Sequence, residues 1–477
     1  MELDRLEQIG ECVFQLPSKG GMLVPARFFG TRELLLDLDE AVKEQAANVA
    51  HLPGIEQASL AMPDAHWGYG FPIGGVAAFD PDRDGVICVG GIGYDIACGV
   101  RTMRTGIERS GLRDEVLREL VDALYKTVPA GLGSEGKIKL SSSKLDKVLE
   151  EGAAWAVKQG YGEEPDLEHI EDRGRMPHAD PDKVSDTAKK RQKRQMGTLG
   201  SGNHYLELQY VDRIYDGQAA RAFGLSKDEV LVTVHSGSRG LGHQIGTDYI
   251  QHLGRAVSRY NLSLPARELV SAPIRSREGQ DFFRAMCCGV NCALANRQVL
   301  GHLAREAFSS VIPEAAISLV YDVSHNTCKI EEHLVEGEPR TLYVHRKGAT
   351  RAFGPESPEI PQGYRGTGQP VIIGGSMGTS SYILAGNSQE QNQAWGSACH
   401  GAGRAMSRRK ATKTWSAKEV ISDLSRKGIQ VRAASKKGAA EEAPMAYKDV
   451  DLVVEATQQA GLARKVARMR PLACIKG

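Results

Sequence analysis

The residues of this chain best suited to hold a transition metal stand far apart, and each sits in or beside a glycine-rich turn. Asp95 and Cys98 share Gly93-Tyr94-Asp95-Ile96-Ala97-Cys98-Gly99, while His204, His235 and His325 follow at long intervals. They can meet only if most of the 477 residues form one structural unit. Although that length alone would also allow two or three ordinary domains, the scatter points to a single large α+β domain spanning 1–477. A thiolate, a carboxylate and three imidazoles form a mixed soft and hard donor set, which suits one or two ions such as Mn, Zn or Fe better than Mg or Ca. If one sulfur bridges two ions, each needs only one or two further ligands. A two-metal clamp suits in-line displacement at phosphorus, where attacking and leaving oxygens both need neutralisation.

The periodicity around these residues predicts how they are presented. Ile73–Phe79 and Val86–Gly91 read as short strands meeting tight turns, and Val116, Leu117, Leu120, Val121 and Leu124 mark an amphipathic helix over 112–125. Gly197-Thr198-Leu199-Gly200-Ser201-Gly202-Asn203-His204 is a flexible turn leading into a strand at Tyr205–Leu208. Strands at Val230–His235 and Ile317–His325 each end in histidine. Residues 289–310 predict a helix with Leu294, Leu300, Leu303 and Ala307 inward, and Val371–Ile373 predicts a strand before the small-residue turn Gly374–Ser381. Residues 160–194 are charged, carry three prolines and contain Lys189-Lys190-Arg191-Gln192-Lys193-Arg194, so they read as a polar surface excursion.

His400, in His400-Gly401-Ala402-Gly403-Arg404, stands apart from the ligand candidates and reads as a nucleophile. An imidazole attacking a phosphoryl centre gives a phosphoramidate that is easily discharged. Gly401, Ala402 and Gly403 leave the ring approachable and predict the opening of a helix, with Arg404 placed to fork a phosphate. The turn from Gly375 to Ser381 offers amides and hydroxyls to an anion or a base edge. Gly131-x4-Gly136-Lys137 resembles a phosphate loop, but Ile138 stands where a hydroxyl must hold the metal and no strand precedes it. A Lys-x-Asp-Gly signature is missing, which leaves His400 as the candidate for any nucleotidyl transfer.

Composition excludes several classes. Lysine and arginine number 60 against 59 acids, so the net charge of +1 gives no nucleic-acid footprint over the whole chain, and any polyanion must be met by local patches. The nine cysteines are irregularly spaced, with no paired C-x-x-C knuckles, which fits a reducing cytoplasm. No apolar run is long enough to span a membrane.

Six motifs in order carry a family resemblance: Pro63-Asp64-Ala65-His66-Trp67-Gly68, the turn from Gly93 to Gly99, Gly202-Asn203-His204, His235-Ser236-Gly237-Ser238-Arg239-Gly240, His345-Arg346-Lys347-Gly348-Ala349 and His400-Gly401-Ala402-Gly403-Arg404. Together they resemble the RtcB-type RNA ligases from near the start of the chain to Lys476-Gly477. The resemblance implies a fold of its own, mixed sheets with surrounding helices around a deep metal-lined cleft. It also implies GTP- and Mn-dependent joining of an RNA 3′-phosphate or 2′,3′-cyclic phosphate to a 5′-hydroxyl, in tRNA splicing or RNA repair.

By that resemblance Cys98 bridges two Mn ions, one completed by Asp95 and His204 and the other by His235 and His325, and His400 becomes guanylylated. Asn203 meets the nucleotide phosphates, as do Gly401, Ala402, Gly403 and Arg404, while Tyr205 and Glu207 lie near guanine with Ser376, Ser381 and Lys476. A carboxylate accepts both N1–H and N2–H of guanine, which adenine cannot offer. Arg239, Arg346, Lys347 and Arg351 are the candidates for an RNA track. RNA is the expected partner, possible help from an archease-type activating protein belongs to the family pattern, and a monomer is the default. Ala97 stands where the family often has Asn, and Gly374 where Pro is common. Two other readings stay open: a metal-dependent RNA-end phosphoesterase, and a non-catalytic RNA-binding protein with a structural metal.

Overall fold

The alternation of apolar runs and glycine turns becomes two large sheets in the computed structural model, which describes residues 1–477. The eight-stranded sheet runs, in spatial order, Ser318–Ser324, Gly99–Glu108, Glu229–Ser236, Tyr205–Ile214, Ala463–Lys476, Ser381–Gly386 and Pro370–Ile373, with Gln430–Ala433 pairing in parallel beside Ala463–Lys476. The other antiparallel registers set the site. Gly99 lies opposite both Ser324 and Ser236, and Tyr205 lies opposite both His235 and Lys476. Cys98, His204, His235 and His325 therefore arrive together at one end of four neighbouring strands.

A seven-stranded sheet holds Ser59–His66, Ile73–Phe79, Glu338–Lys347 and Asn326–Val335 as consecutive neighbours. Its contribution to the same region is the end of Ser59–His66, which carries Asp64 and His66, and the paired residues Asn326 and Lys347. Asn326 follows His325 directly, so one turn stitches the two sheets together.

The largest apolar cluster forms around the helix Arg277–Val311, which contacts the helices Asp114–Thr127, Ser142–Glu151, Ala153–Lys158 and Arg239–Arg259. The helix predicted over 289–310 is thus the second half of a 35-residue element. Its middle, 285–301, is buried on every face, so no single apolar stripe marks the whole element. The helix predicted near 112–125 spans Asp114–Thr127 and buries Leu117, Leu120, Val121 and Leu124, with Asp114 and Glu115 in its first turn complementing the helix dipole. No helix is long and apolar enough to cross a membrane, and all nine cysteines are free and buried.

Residues 160–194 are not a surface excursion throughout. Asp166 and Glu171 are buried, Asp166 pairing with Arg305 and Arg101, and Glu171 pairing with Lys329 while accepting from the Ser324 amide at 3.0 Å. The charges that suggested a solvated segment meet countercharges contributed by distant strands and helices, and so pack directly beneath the strand that ends at His325.

Candidate metal centre and nucleotide cavity

The ends of the two sheets enclose a cavity of about 1080 Å³, into which Asp95, Cys98, His204, His235, His325 and His400 all face. Cys98 Sγ lies 3.2 Å from His204 Nε2 and 3.1 Å from His235 Nε2. His204 Nε2 lies 2.9 Å from Asp95 Oδ2, and His235 Nε2 lies 3.2 Å from His325 Nε2. The donor atoms form two triads sharing the sulfur, Asp95/Cys98/His204 and Cys98/His235/His325, each with its atoms within 4.8 Å of one another.

The donor set fits a pair of cations. His204 Nδ1 is 3.0 Å from the Leu199 carbonyl and donates to it, which leaves Nε2 as the lone pair aimed at the triad. Burial and neighbouring histidines hold His235 and His325 well below the usual imidazole range, so both rings are neutral and ready to ligate. Burial and the Asp95 carboxylate push the Cys98 thiol well above its usual value, a state that a bound cation reverses by taking the thiolate. Asp95 titrates low even though burial opposes it, because His204 and Arg239 face it.

The ligand segments are held from below by two adjacent residues of the Arg277–Val311 helix. Arg297 donates to the carbonyls of Ala97 at 2.7 Å and Ser236 at 3.1 Å, to Ser324 Oγ at 3.0 Å and to Asp322 at 2.8 Å. It thus grips the immediate neighbours of Cys98, His235 and His325. Asn296 binds Gly197, Thr198, Ser236 and Gly237, fixing the glycine-rich turn that delivers His204. Ala97 sits at φ 52°, left-handed backbone that Asn tolerates better than Ala.

His400 follows the short strand Ser397–Cys399, and its Nδ1 lies 2.7 Å from Asp64 Oδ2. That carboxylate oxygen also accepts from the amides of His400 and Gly401, at 3.1 and 3.2 Å. Nδ1 is buried against this carboxylate in close contact but without hydrogen-bond geometry, and Nε2 is the other ring nitrogen available for chemistry. The His400 ring centroid is 4.7 Å from that of His325, so His400 and the two donor triads share one chamber. Gly401, Ala402 and Gly403 do not open a helix; the next one begins at Arg408. They form a tight crossing over Asp64, and a Cβ on Gly403, at φ 74°, would meet the Asp64 carbonyl at 2.2 Å. Arg404 is likewise not a free fork, since its guanidinium already meets Glu442, Tyr447 and the Glu441 carbonyl.

Asn203, Tyr205, Glu207, Ser376 and Lys476 all line the cavity. Lys476 Nζ stands 5.5 Å from the Tyr205 ring centre, a cation over an aromatic face. Burial raises Glu207 to about 7, against the pull of Lys476 and a hydrogen bond from Gln209. Ser381 is buried behind this wall, accepting from Gly375 N at 3.1 Å and Gln209 Nε2 at 3.0 Å, so it braces the turn.

The expected RNA track divides. Arg346 is buried, forking Glu331 at 2.6 and 2.9 Å, and Arg351 is buried against Glu171, Asp172 and Glu359. Neither reaches solvent, and both form internal ion pairs instead of an RNA track, because the strand ends that carry them are buried on both faces. Arg239 and Lys347 do line the cavity. Arg239 lies 3.1 Å from His204 Nδ1, and burial lowers Lys347 to about 7 where its ammonium meets the carbonyls of Tyr69 and Phe71.

Three residues that hold the candidate site together were not singled out by pattern. Asp64 lies inside the Pro63–Gly68 motif, but nothing local ties it to a histidine 336 positions away. Glu442, buried among Arg404, Arg408, Tyr447 and Lys476, sits in an alanine-rich stretch with no signature. Asn326, which holds the Asp95 carbonyl and the Gly348 amide, is signalled only by its place after His325.

The family model described as tRNA-splicing ligase RtcB matches residues 45–477. The chain belongs to the RtcB family. Proteins named tRNA-splicing ligase RtcB from Methanococcus maripaludis and Thermococcus kodakarensis are 51% and 50% identical to it, covering 98% and 100% of this chain and 99% and 100% of their own length. One of the same name from Archaeoglobus fulgidus is 49% identical over 99% of both chains. Since this similarity spans the full chain, every element that builds the RtcB cavity here falls within the matched length.

Proposed function

We propose that this protein is an RNA ligase that uses GTP and Mn to join an RNA 3′-phosphate, or a 2′,3′-cyclic phosphate after opening, to a 5′-hydroxyl end. The observation that carries the reading is the His400–Asp64 pair facing two cation-fitting triads in the same chamber as Glu207 and Lys476. The names of the full-length relatives favour RNA ligation over the two other readings.

In this reading Asp64 accepts from His400 Nδ1–H and keeps Nε2 unprotonated. Nε2 attacks the α-phosphorus of GTP and pyrophosphate leaves. An oxygen of the RNA 3′-phosphate then displaces the imidazole, giving an RNA 3′-diphosphate-guanosine end, and the 5′-hydroxyl oxygen attacks the RNA phosphorus with GMP as leaving group. Activation is required because a phosphate monoester carries a very poor leaving oxygen. Asp95, Cys98, His204, His235 and His325 would hold two Mn ions, which when bound neutralise phosphoryl charge. Glu207 receives the guanine N–H edge, Tyr205 and Lys476 flank it, and Asn203 with the Gly401–Gly403 crossing meets the phosphates. The RNA, tRNA halves or broken ends, comes to a cytoplasmic monomer with or without an archease-type activator.

Incubation with α-labelled GTP and Mn tests this. The expected result is a covalent label lost in His400→Ala, followed by ligation of a 3′-phosphate RNA; phosphate release from RNA by an unlabelled protein would establish hydrolysis instead.

A further inference from the structure

With Arg346 and Arg351 internal, the polyanion must be met elsewhere, and one segment stands out by charge. Residues 404–437 contain eleven lysines and arginines against two acids, Glu419 and Asp423, in a chain whose overall charge is only +1. The segment folds as a cap of two short helices, Arg408–Thr414 and Ala417–Arg426, closed by the start of a third, Lys436–Glu441, which packs on both and adds one acid just past the segment, Glu441, paired with Lys437. Its start forms part of the cavity wall through Arg404, Met406, Ser407 and Arg408. From there Arg409, Lys410 and Lys413 project from the first helix at i, i+1 and i+4, close enough in angle to share a flank. These three, with Lys418 and Lys436, are exposed and make no ion pair.

The rim of the cavity is polarised. The stretch near the N-terminus presents the exposed acids Asp37 and Asp39 to it, whereas the cap presents cations. A second basic element lies near the cap: a Cβ on Gly131 of the loop 131–140 would meet Ala434, and the Gly136 and Leu140 amides donate to the carbonyls of Arg194 and Lys193. At the ends of that basic run, however, Lys189 pairs with Asp146 and Arg194 with Glu135, so the unpaired charge lies on the cap itself. Exposed, unpaired ammonium and guanidinium groups continuous with the wall of a phosphate-handling cavity are the arrangement that binds a nucleic-acid backbone without reading its sequence.

We infer that the 404–437 cap is the track for the RNA backbone leading into the cavity, with Arg409, Lys410 and Lys413 as its outer phosphate contacts. This rests on the ligase reading of the cavity and assigns where its RNA lies. The cap side of the rim, not the Asp37/Asp39 side, receives the strand.

The test uses the full chain with a fluorescein-labelled, mixed-sequence single-stranded RNA ending in a 3′-phosphate, titrated across a range of salt. The triple variant Arg409→Ala/Lys410→Ala/Lys413→Ala is compared with Arg221→Ala/Lys227→Ala/Arg255→Ala, three exposed cations outside the cavity. Each lost phosphate contact flattens the salt dependence of log K by about 0.7 for a single strand, so the cap variant should lose about 2 from the slope and at least ~10-fold in low-salt affinity. The second triple variant should match the parent. Covalent labelling by GTP, measured in parallel, reports the ligase reading separately. Normal labelling with RNA affinity and slope unchanged in the cap variant overturns the track, as does an equal loss in both variants. A parent that never labels but binds RNA through the cap would remove the ligase reading and leave the track standing.

Discussion

His400 Nδ1 and Asp64 Oδ2 are 2.7 Å apart, although 336 residues separate them in sequence. The same oxygen takes the amides of His400 and Gly401, so Asp64 places the loop and sets a negative charge against the Nδ1 side of the ring. Asp64→Asn keeps the size and removes the charge that favours a proton on Nδ1. By analogy with the carboxylate–histidine pairs of hydrolases, where this exchange costs about 10⁴ in rate, labelling of the protein by GTP should slow at least ~100-fold while the fold, read by circular dichroism, is retained. A rate within about 3-fold of the parent would deny Asp64 a part in the chemistry.

Because Cys98 belongs to both triads and the other ligands to one each, metal content should respond unequally. Elemental analysis after loading with Mn should give two ions per chain for the parent, one for Asp95→Ala or His325→Ala, and none retained for Cys98→Ala. Equal content in the Cys98 and Asp95 variants would rule out the shared sulfur.

Arg297 touches no donor atom yet holds the neighbours of three ligands. Arg297→Lys keeps the charge, but an ammonium cannot span the four acceptors that the guanidinium fork reaches. Loss of such outer support weakens metal sites about 10–100-fold, so the Mn dissociation constant, followed by the electron paramagnetic resonance of the free ion, should rise within that range. Arg297→Met additionally strands the buried Asp322 carboxylate with Arg101 alone and should cost about 3–5 kcal/mol of stability. Unaltered Mn affinity in a folded Arg297→Lys protein would reduce the residue to a packing role.

The convergence of the donor residues was legible because chemistry-bearing residues flanked by glycines at strand ends carry local signals: donor type, turn flexibility and alternation. The sheet registers then add what no local pattern holds, that Gly99, Ser236 and Ser324 are mutual neighbours. Arg346 and Arg351 were misplaced for the opposite reason. An arginine beside a basic neighbour reads as surface until its carboxylate is known, and Glu331, Glu171 and Asp172 come from other strands and from a segment that itself looked solvated. The helix expected at Gly401 failed because small residues there serve a close backbone crossing over Asp64, a demand set by tertiary contact alone.

The burial of Arg346 has its own measurable consequence. Arg346→Met leaves Glu331 in the interior with only His333 beside it, and breaking such a pair costs about 3–5 kcal/mol. Chemical denaturation should show that loss, whereas the RNA affinity of the folded variant should stay that of the parent. A stable protein with weakened RNA binding would restore Arg346 to the track.

Glu207 offers a test by pH. Its carboxyl is raised by burial to about 7 from an ordinary 4.5. Below pH 4.5 folded and unfolded chains both carry the proton and nothing is lost; as pH rises toward 7 the unfolded chain releases it while the folded one retains it, and above 7 the fold must hold a buried anion. The native state therefore loses stability across this window, by up to about 3 kcal/mol at one pKa unit per 1.36 kcal/mol. Glu207→Gln removes that cost, so the variant should gain on the parent between pH 5 and pH 8 in thermal denaturation without nucleotide. Guanine binding should run the other way. Only the ionised carboxylate accepts both N1–H and N2–H, so GTP affinity by calorimetry should strengthen through pH 7 in the parent and be weak and flat in the variant, whose amide points a donor at a donor. If the two proteins differ by a constant amount at every pH, Glu207 is ionised throughout and its burial exerts no such control.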